Sequence, residues 1–106
     1  MFIARWQIDA RFGHKQSALD LMREWEKEIG RKAGLDPSSS SILTGSIGLR
    51  EATIENNMTV DSLAELERFF ETIATIPEHA AWGKKLEPFV VSGTSRWSIL
   101  RVVPME

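Results

Sequence analysis

The spacing of the apolar residues switches between a period of two and a period of about 3.6 along this chain, and the order of the switches leaves few folds open. From Phe2 to Phe12 the residues alternate: Phe2, Ala4, Trp6, Ile8, Ala10 and Phe12 on one face, Ile3, Arg5, Gln7, Asp9 and Arg11 on the other. That is a strand. From Gln16 to Ala33 the stripe Ala18, Met22, Trp25, Ile29 and Ala33 steps by three and four residues, as on a helix. Gly34 ends it and Pro37 forbids its return. The polar run Asp36–Ser41 reads as a loop, and Ile42 to Arg50 as a strand weakened by Gly45 and Gly48. Thr53 to Val60 is a second strand of this pair, with Ile54, Asn56, Met58 and Val60 on one face and Thr53, Glu55, Asn57 and Thr59 on the other.

Ser62-x-x-Glu65 is a capping box and opens the second helix. Its expected buried stripe is Leu63, Leu66, Phe70, Ile73 and Ala74, with Phe69 beside it. Ile76-Pro77 breaks that helix, because proline lacks an amide proton and disfavours helix at the residue before it. As a first helical residue, Pro77 opens a shorter helix to Leu86, and Pro88 closes it. Val90 to Val103 is the last strand, with Trp97, Ile99, Arg101 and Val103 on one parity. The order βαββαβ predicts an α+β, ferredoxin-like fold: a four-stranded antiparallel sheet with both helices on one face. The chain's 106 residues suit one domain, 1–106.

The helices cover only one side of such a sheet. Ile3, Leu100, Val102 and one of Ile42 and Leu43 remain on the other, among Arg5, Gln7, Asp9, Glu55, Asn57, Arg96 and Ser98. A sheet face of that kind calls for a partner, and a homodimer through the sheet faces is expected. Thirteen basic and fifteen acidic residues in no long run argue against nucleic acid or an anionic membrane as partner. The absence of cysteine removes thiolate chemistry and suits a reducing compartment. The N-terminal segment alternates and carries Arg5 early, so no secretory leader is expected, and a cytoplasmic location is.

The composition holds four Trp and five Phe but no Tyr. Trp6, Trp82, Trp97 and Phe70 are candidates to line a pocket between sheet and helices for a flat apolar ligand. Trp25 has the spacing of an ordinary core residue. His79, just after the helix break, is the candidate base; Asn56 and Arg101 are weaker candidates to hold developing negative charge. His14 and His79 have no neighbours at metal-ligand spacing, so neither a metal nor a cofactor is expected.

Three segments carry a resemblance: Asn57-Met58-Thr59-Val60-Asp61-Ser62-Leu63-Ala64-Glu65-Leu66, Thr75-Ile76-Pro77-Glu78-His79, and Trp97-Ser98-Ile99-Leu100. With them the chain resembles the dimeric α/β-barrel superfamily, and most the antibiotic-biosynthesis-monooxygenase-type branch. The resemblance implies two sheets closing face to face into a barrel and a pocket in each subunit. It also implies a choice among cofactor-independent oxygenases of aromatic substrates, haem-degrading enzymes and binding proteins without known activity. The haem-degrading type relies on an Asn on its first strand, where this chain has Gln7. Small-molecule binding in an aromatic-lined pocket, cofactor-independent oxygenation and a purely structural dimerisation unit are the three readings carried forward.

Overall fold

The computed structural model describes residues 1–105; Glu106, the last residue of the single-domain reading, lies outside them. The elements follow the expected order: β1 (Phe2–Asp9), α1 (Lys15–Glu24), β2 (Ser40–Thr44), β3 (Thr53–Val60), α2 (Leu63–Ala74), α3 (Pro77–Leu86) and β4 (Arg96–Arg101). All neighbouring strands are antiparallel and the sheet order is β2-β3-β1-β4. This is the ferredoxin-like arrangement, with the helices on one face.

Phe2, Ala4, Trp6 and Ile8 of β1 and Ile54, Asn56, Met58 and Val60 of β3 share the helix-facing side, as the register Ala4↔Met58 and Trp6↔Asn56 requires. Ala4, Ile8, Ile54 and Met58 are buried there against Ala18, Met22, Ile29, Leu66, Trp82 and Leu86. Each large apolar side chain so buried contributes about 1.5–3 kcal/mol.

The first helix is not α-helical throughout. After Glu24 the chain takes a wider π-helical turn, Trp25–Gly30, and closes through Gly34, whose φ of 89° is open to glycine and strained for other residues. The extra residue in that turn lets Ile29 and Gly30, consecutive in sequence, both be buried.

Three of the expected strands change their bounds. β1 ends at Asp9; Ala10 leaves to bridge Val90, and Phe12 projects into solvent at 104% relative exposure instead of joining the core face. The strand expected over Ile42–Arg50 begins earlier, at Ser40, and stops at Thr44, because the loop folds back on Gly45. A Cβ at Gly45 would stand 1.8 Å from the Arg50 carbonyl oxygen. Gly45→Ala is therefore expected to push this loop away and cost about 1–3 kcal/mol, measured by urea unfolding. The last strand starts at Arg96, not Val90, since Thr94 closes a turn on the Val91 carbonyl through its hydroxyl (2.7 Å), and it ends at Arg101, not Val103.

The capping box forms around a shifted partner. Ser62 Oγ accepts from the Glu65 amide at 3.1 Å, while Glu65 Oε2 accepts from the amide of Asp61 at 2.7 Å. On α2 the buried positions are Leu66 and Ile73 with Phe69 half-buried; Leu63, Phe70 and Ala74, expected in the stripe, are exposed. The break falls where expected: Thr75 caps α2, Ile76 is extended, and Pro77 begins α3.

On the outer face of the sheet, Glu55 is buried and accepts hydrogen bonds from Gln7 Nε2 (2.6 Å) and Asn57 Nδ2 (2.7 Å). Arg96 Nε donates to Gln7 Oε1 at 2.8 Å. Arg5 Nε lies 3.2 Å from Glu55 Oε2, an ion pair by distance but off the line of a hydrogen bond, and Asn57 Oδ1 is likewise buried without one. Leu43 and Leu100 are exposed beside this polar centre, which settles the Ile42/Leu43 alternative: Ile42 packs inward.

Candidate binding cavity

The helices do not cover the sheet to its β4 edge. Between the inner sheet face and the helices a cavity of about 750 Å³ remains. The size lies within the range of ligand pockets, about 300–1,000 Å³.

The sheet supplies one wall. Trp6 and Trp97 are register partners on β1 and β4, so their side chains share a face, with ring centroids 6.3 Å apart. Asn56 sits opposite Trp6 on β3. Trp6 Nε1 is held by Ser95 Oγ at 2.7 Å. From α2, Phe69, Phe70 and Ile73 line the cavity, and Phe70 meets the Trp97 ring edge-on at 5.1 Å. Trp97 remains 52% exposed and Ile99 43%, which marks the β4 side as the open one.

The helix break places the remaining wall. Pro77 starts α3 so that His79, Trp82 and Gly83 return to the cavity. Trp82 is buried and its Nε1 donates to the Leu21 carbonyl of α1 at 2.6 Å. The His79 ring lies nearly parallel to that of Trp82, 13° between planes and 6.2 Å between centroids. Trp25, from the π-helical turn, presents its indole to the imidazole edge-on, and Trp25 Nε1 donates to His79 Nδ1 at 3.0 Å.

The next residue on that turn, Glu26, reaches the sheet. Its Oε1 accepts from Asn56 Nδ2 at 2.9 Å and also from the Ser40 hydroxyl. The cavity wall is therefore apolar and aromatic except at His79 and Asn56.

Of the residues singled out from the sequence, His79, Asn56, Trp6, Trp82, Trp97 and Phe70 all line this one space. Arg101 does not: it pairs with Phe2 at the far end of β4, beyond Ile99, and is exposed. Trp25, read as core packing, does pack against the core, and it also lines the cavity and engages His79. Glu26 was not singled out at all. Its position one residue after Trp25 gives no signal without the π turn. Among the described residues no cluster of His, Cys, Asp and Glu has the spacing of a metal site, and no helix is long and apolar enough to cross a membrane.

Burial holds the His79 imidazole below its ordinary pKa of 6.5. Below that pH the unfolded chain takes up a proton that the folded chain resists. The folded state therefore gains stability as pH rises towards 6.5 and keeps it above. Urea midpoints of the wild type are expected to fall more steeply than those of His79→Leu as pH drops from just above this value. Parallel curves for the two proteins would contradict it.

No protein-family model matches the sequence, and no curated protein matches it significantly. Solved structures do match in shape. A NIPSNAP family protein from Agrobacterium tumefaciens superposes with a TM-score of 0.79 at 18% identity, over 98% of this chain and 94% of that one. SnoaB, a cofactor-independent oxygenase from Streptomyces nogalater, gives 0.67 at 8% identity over 98% and 94%. A putative antibiotic biosynthesis monooxygenase from Nitrosomonas europaea gives 0.68 at 8% identity over 98% and 100%. The fold is that of the NIPSNAP and antibiotic-biosynthesis-monooxygenase-type proteins. At these identities the NIPSNAP-like and monooxygenase-like comparisons speak to the fold, and the cavity has to speak for the chemistry.

Proposed function

We propose that this protein binds a small, flat, apolar molecule in the cavity between its sheet and helices, and that it works as a homodimer joined through the sheet faces. The observation that carries the first part is the aromatic wall: Trp6, Trp25, Phe69, Phe70, Trp82 and Trp97 around one space of about 750 Å³. Rigid aromatic side chains bury a ring-bearing ligand at little entropic cost. A space of this size speaks against a purely structural dimerisation unit.

Equilibrium dialysis against fluorene, a flat tricyclic hydrocarbon, tests the binding. Saturable uptake of one molecule per chain is expected, and uptake that rises without saturation would overturn the reading.

The outer sheet face supports the homodimer. Its centre holds both signs of charge, Arg5 paired with Glu55 and Arg96 one strand further on and joined to Glu55 through Gln7, so a two-fold-related copy can set opposite charges against each other. Around that centre Leu43 and Leu100 stand exposed, and so does Val102, which follows β4 on the parity of Leu100. Sedimentation at micromolar concentration is expected to give a dimeric mass, and Leu100→Lys a monomeric one. A monomeric wild type would contradict the assembly and leave the cavity reading intact.

A second reading, a cofactor-independent monooxygenase of an aromatic substrate, is favoured by the place of His79 on the cavity wall, with Asn56 across from it on the sheet. It draws on the shape shared with SnoaB, which is a cofactor-independent oxygenase. Arg101 enters this reading only as an outlying positive charge at the end of β4. Its test is turnover of an electron-rich aromatic substrate in His79→Ala; an unchanged rate removes His79 from the chemistry.

A further inference from the structure

We infer that Trp25 fixes the tautomer of His79, so that His79 offers the cavity a hydrogen-bond donor and the site favours an apolar ligand bearing an acceptor oxygen, such as a carbonyl. This rests on the reading of the cavity as a small-molecule site and adds which polar atom the ligand carries.

The argument begins with the indole. Tryptophan Nε1–H is a donor and never an acceptor. Whatever nitrogen it faces within 3.0 Å must hold a lone pair, and here that nitrogen is His79 Nδ1. Neutral imidazole carries one N–H, so the proton sits on Nε2. Adding a second proton at Nδ1 would set two donors against each other at that distance, which agrees with an imidazole that burial already keeps neutral. The ring cannot easily turn to exchange its nitrogens, because Trp25 meets its edge and Trp82 lies nearly parallel to its face.

Among the described residues Nε2 has no hydrogen-bond partner. Its N–H is therefore available, while the lone pair is taken. As a base His79 has only Nδ1, and Trp25 must first release it. As a donor it needs no rearrangement. Asn56 is a second donor on the sheet wall, with one of its two Nδ2 N–H groups given to Glu26; the role argued here is that of His79 on the helix wall. A ligand oxygen with lone pairs satisfies His79; a hydrocarbon that covers this wall takes the N–H from water and leaves it unpaired, which is costly.

Two measurements test it. On wild-type chain labelled with ¹⁵N-histidine, at neutral pH, the His79 ring is expected to show Nε2 as N–H and Nδ1 as a bare nitrogen. In Trp25→Phe, the Nδ1–H form is expected to gain population, a change that lost packing alone does not produce. An Nδ1–H tautomer in the wild type overturns the inference, as does an unchanged tautomer in Trp25→Phe.

The second measurement compares 9-fluorenone with fluorene, which differ by the carbonyl oxygen. The ratio of their affinities is expected to fall about 2- to 10-fold in His79→Leu relative to wild type, the worth of one hydrogen bond. An unchanged ratio, with both molecules still bound, overturns the donor role and leaves the cavity reading standing. No saturable binding of either molecule to the wild type overturns the cavity reading itself, and the ligand preference with it.

Discussion

Trp82→Ala is expected to lower stability by about 3–5 kcal/mol, the usual cost of deleting a buried aromatic side chain. The indole is buried, packs with Leu86 and the α1 side of the core, and ties α3 to α1 through the Leu21 carbonyl. Its neighbours sit on different elements: Trp25 on the π-helical turn at a centroid distance of 6.3 Å, and His79 on α3 itself. Helix α3 has few other buried anchors; Leu86 is the second. A domain of this size has about 5–15 kcal/mol in total, so the variant should unfold with a midpoint more than about 10 °C lower. Trp82→Phe, which keeps a ring without the hydrogen bond, is expected to lose markedly less. Thermal unfolding followed by circular dichroism decides this, and a loss under about 1 kcal/mol in Trp82→Ala would mean that α3 is held by something else.

Gly83→Trp is expected to abolish ligand uptake while leaving the chain folded. Gly83 lines the cavity from the interior of α3, and a Cβ there would meet no atom within 4 Å. A side chain can therefore grow at this position without first displacing the core. An indole added there occupies the space in which a flat ligand would lie. Gly83→Ala separates the two effects. It fills almost none of the cavity and replaces the poorest non-proline helix former with the best, so stability should rise by about 0.5–1 kcal/mol with uptake retained. The paired measurement is dialysis with fluorene and urea unfolding of both variants. Undiminished saturable binding in a folded Gly83→Trp would place the ligand elsewhere on the molecule.

The two variants bear on adjacent residues because the sequence concentrates the site there. The helix break was legible from Ile76-Pro77 alone, since the chemistry of proline is local. The convergence of Trp6 and Trp97 was legible from strand parity, which fixes the face of each residue once the strands pair. Parity says nothing of distance along a strand, and that is why Arg101 shares a face with Trp97 yet lies at the far end, opposite Phe2. The ends of the second and fourth strands were lost for a related reason. Gly45 ends its strand through the approach of the Arg50 carbonyl, a contact that no run of neighbouring residues announces. Glu26, and the side of Trp25 that meets His79, were the larger omission. The step from Met22 to Trp25 fits an α-helix as well as it fits the observed chain. What turns both side chains to use is a backbone widening that residue types do not encode locally.

That π-helical turn also sets how the chain tolerates a change of length. A π turn is an α-helix with one residue too many. Deleting a single residue between Glu26 and Glu28 would let the backbone relax into continuous α-helix, with every hydrogen bond still made. The residues beyond the deletion would keep their direction about the helix axis, because the π turn absorbs its surplus residue within itself. Ile29 would hold its place in the core and Trp25 its place beside His79, while the reach of Glu26 to Asn56 would be given up with the width of the turn. A deletion within α1 would instead turn every later residue by about 100° and carry Ile29 off the core.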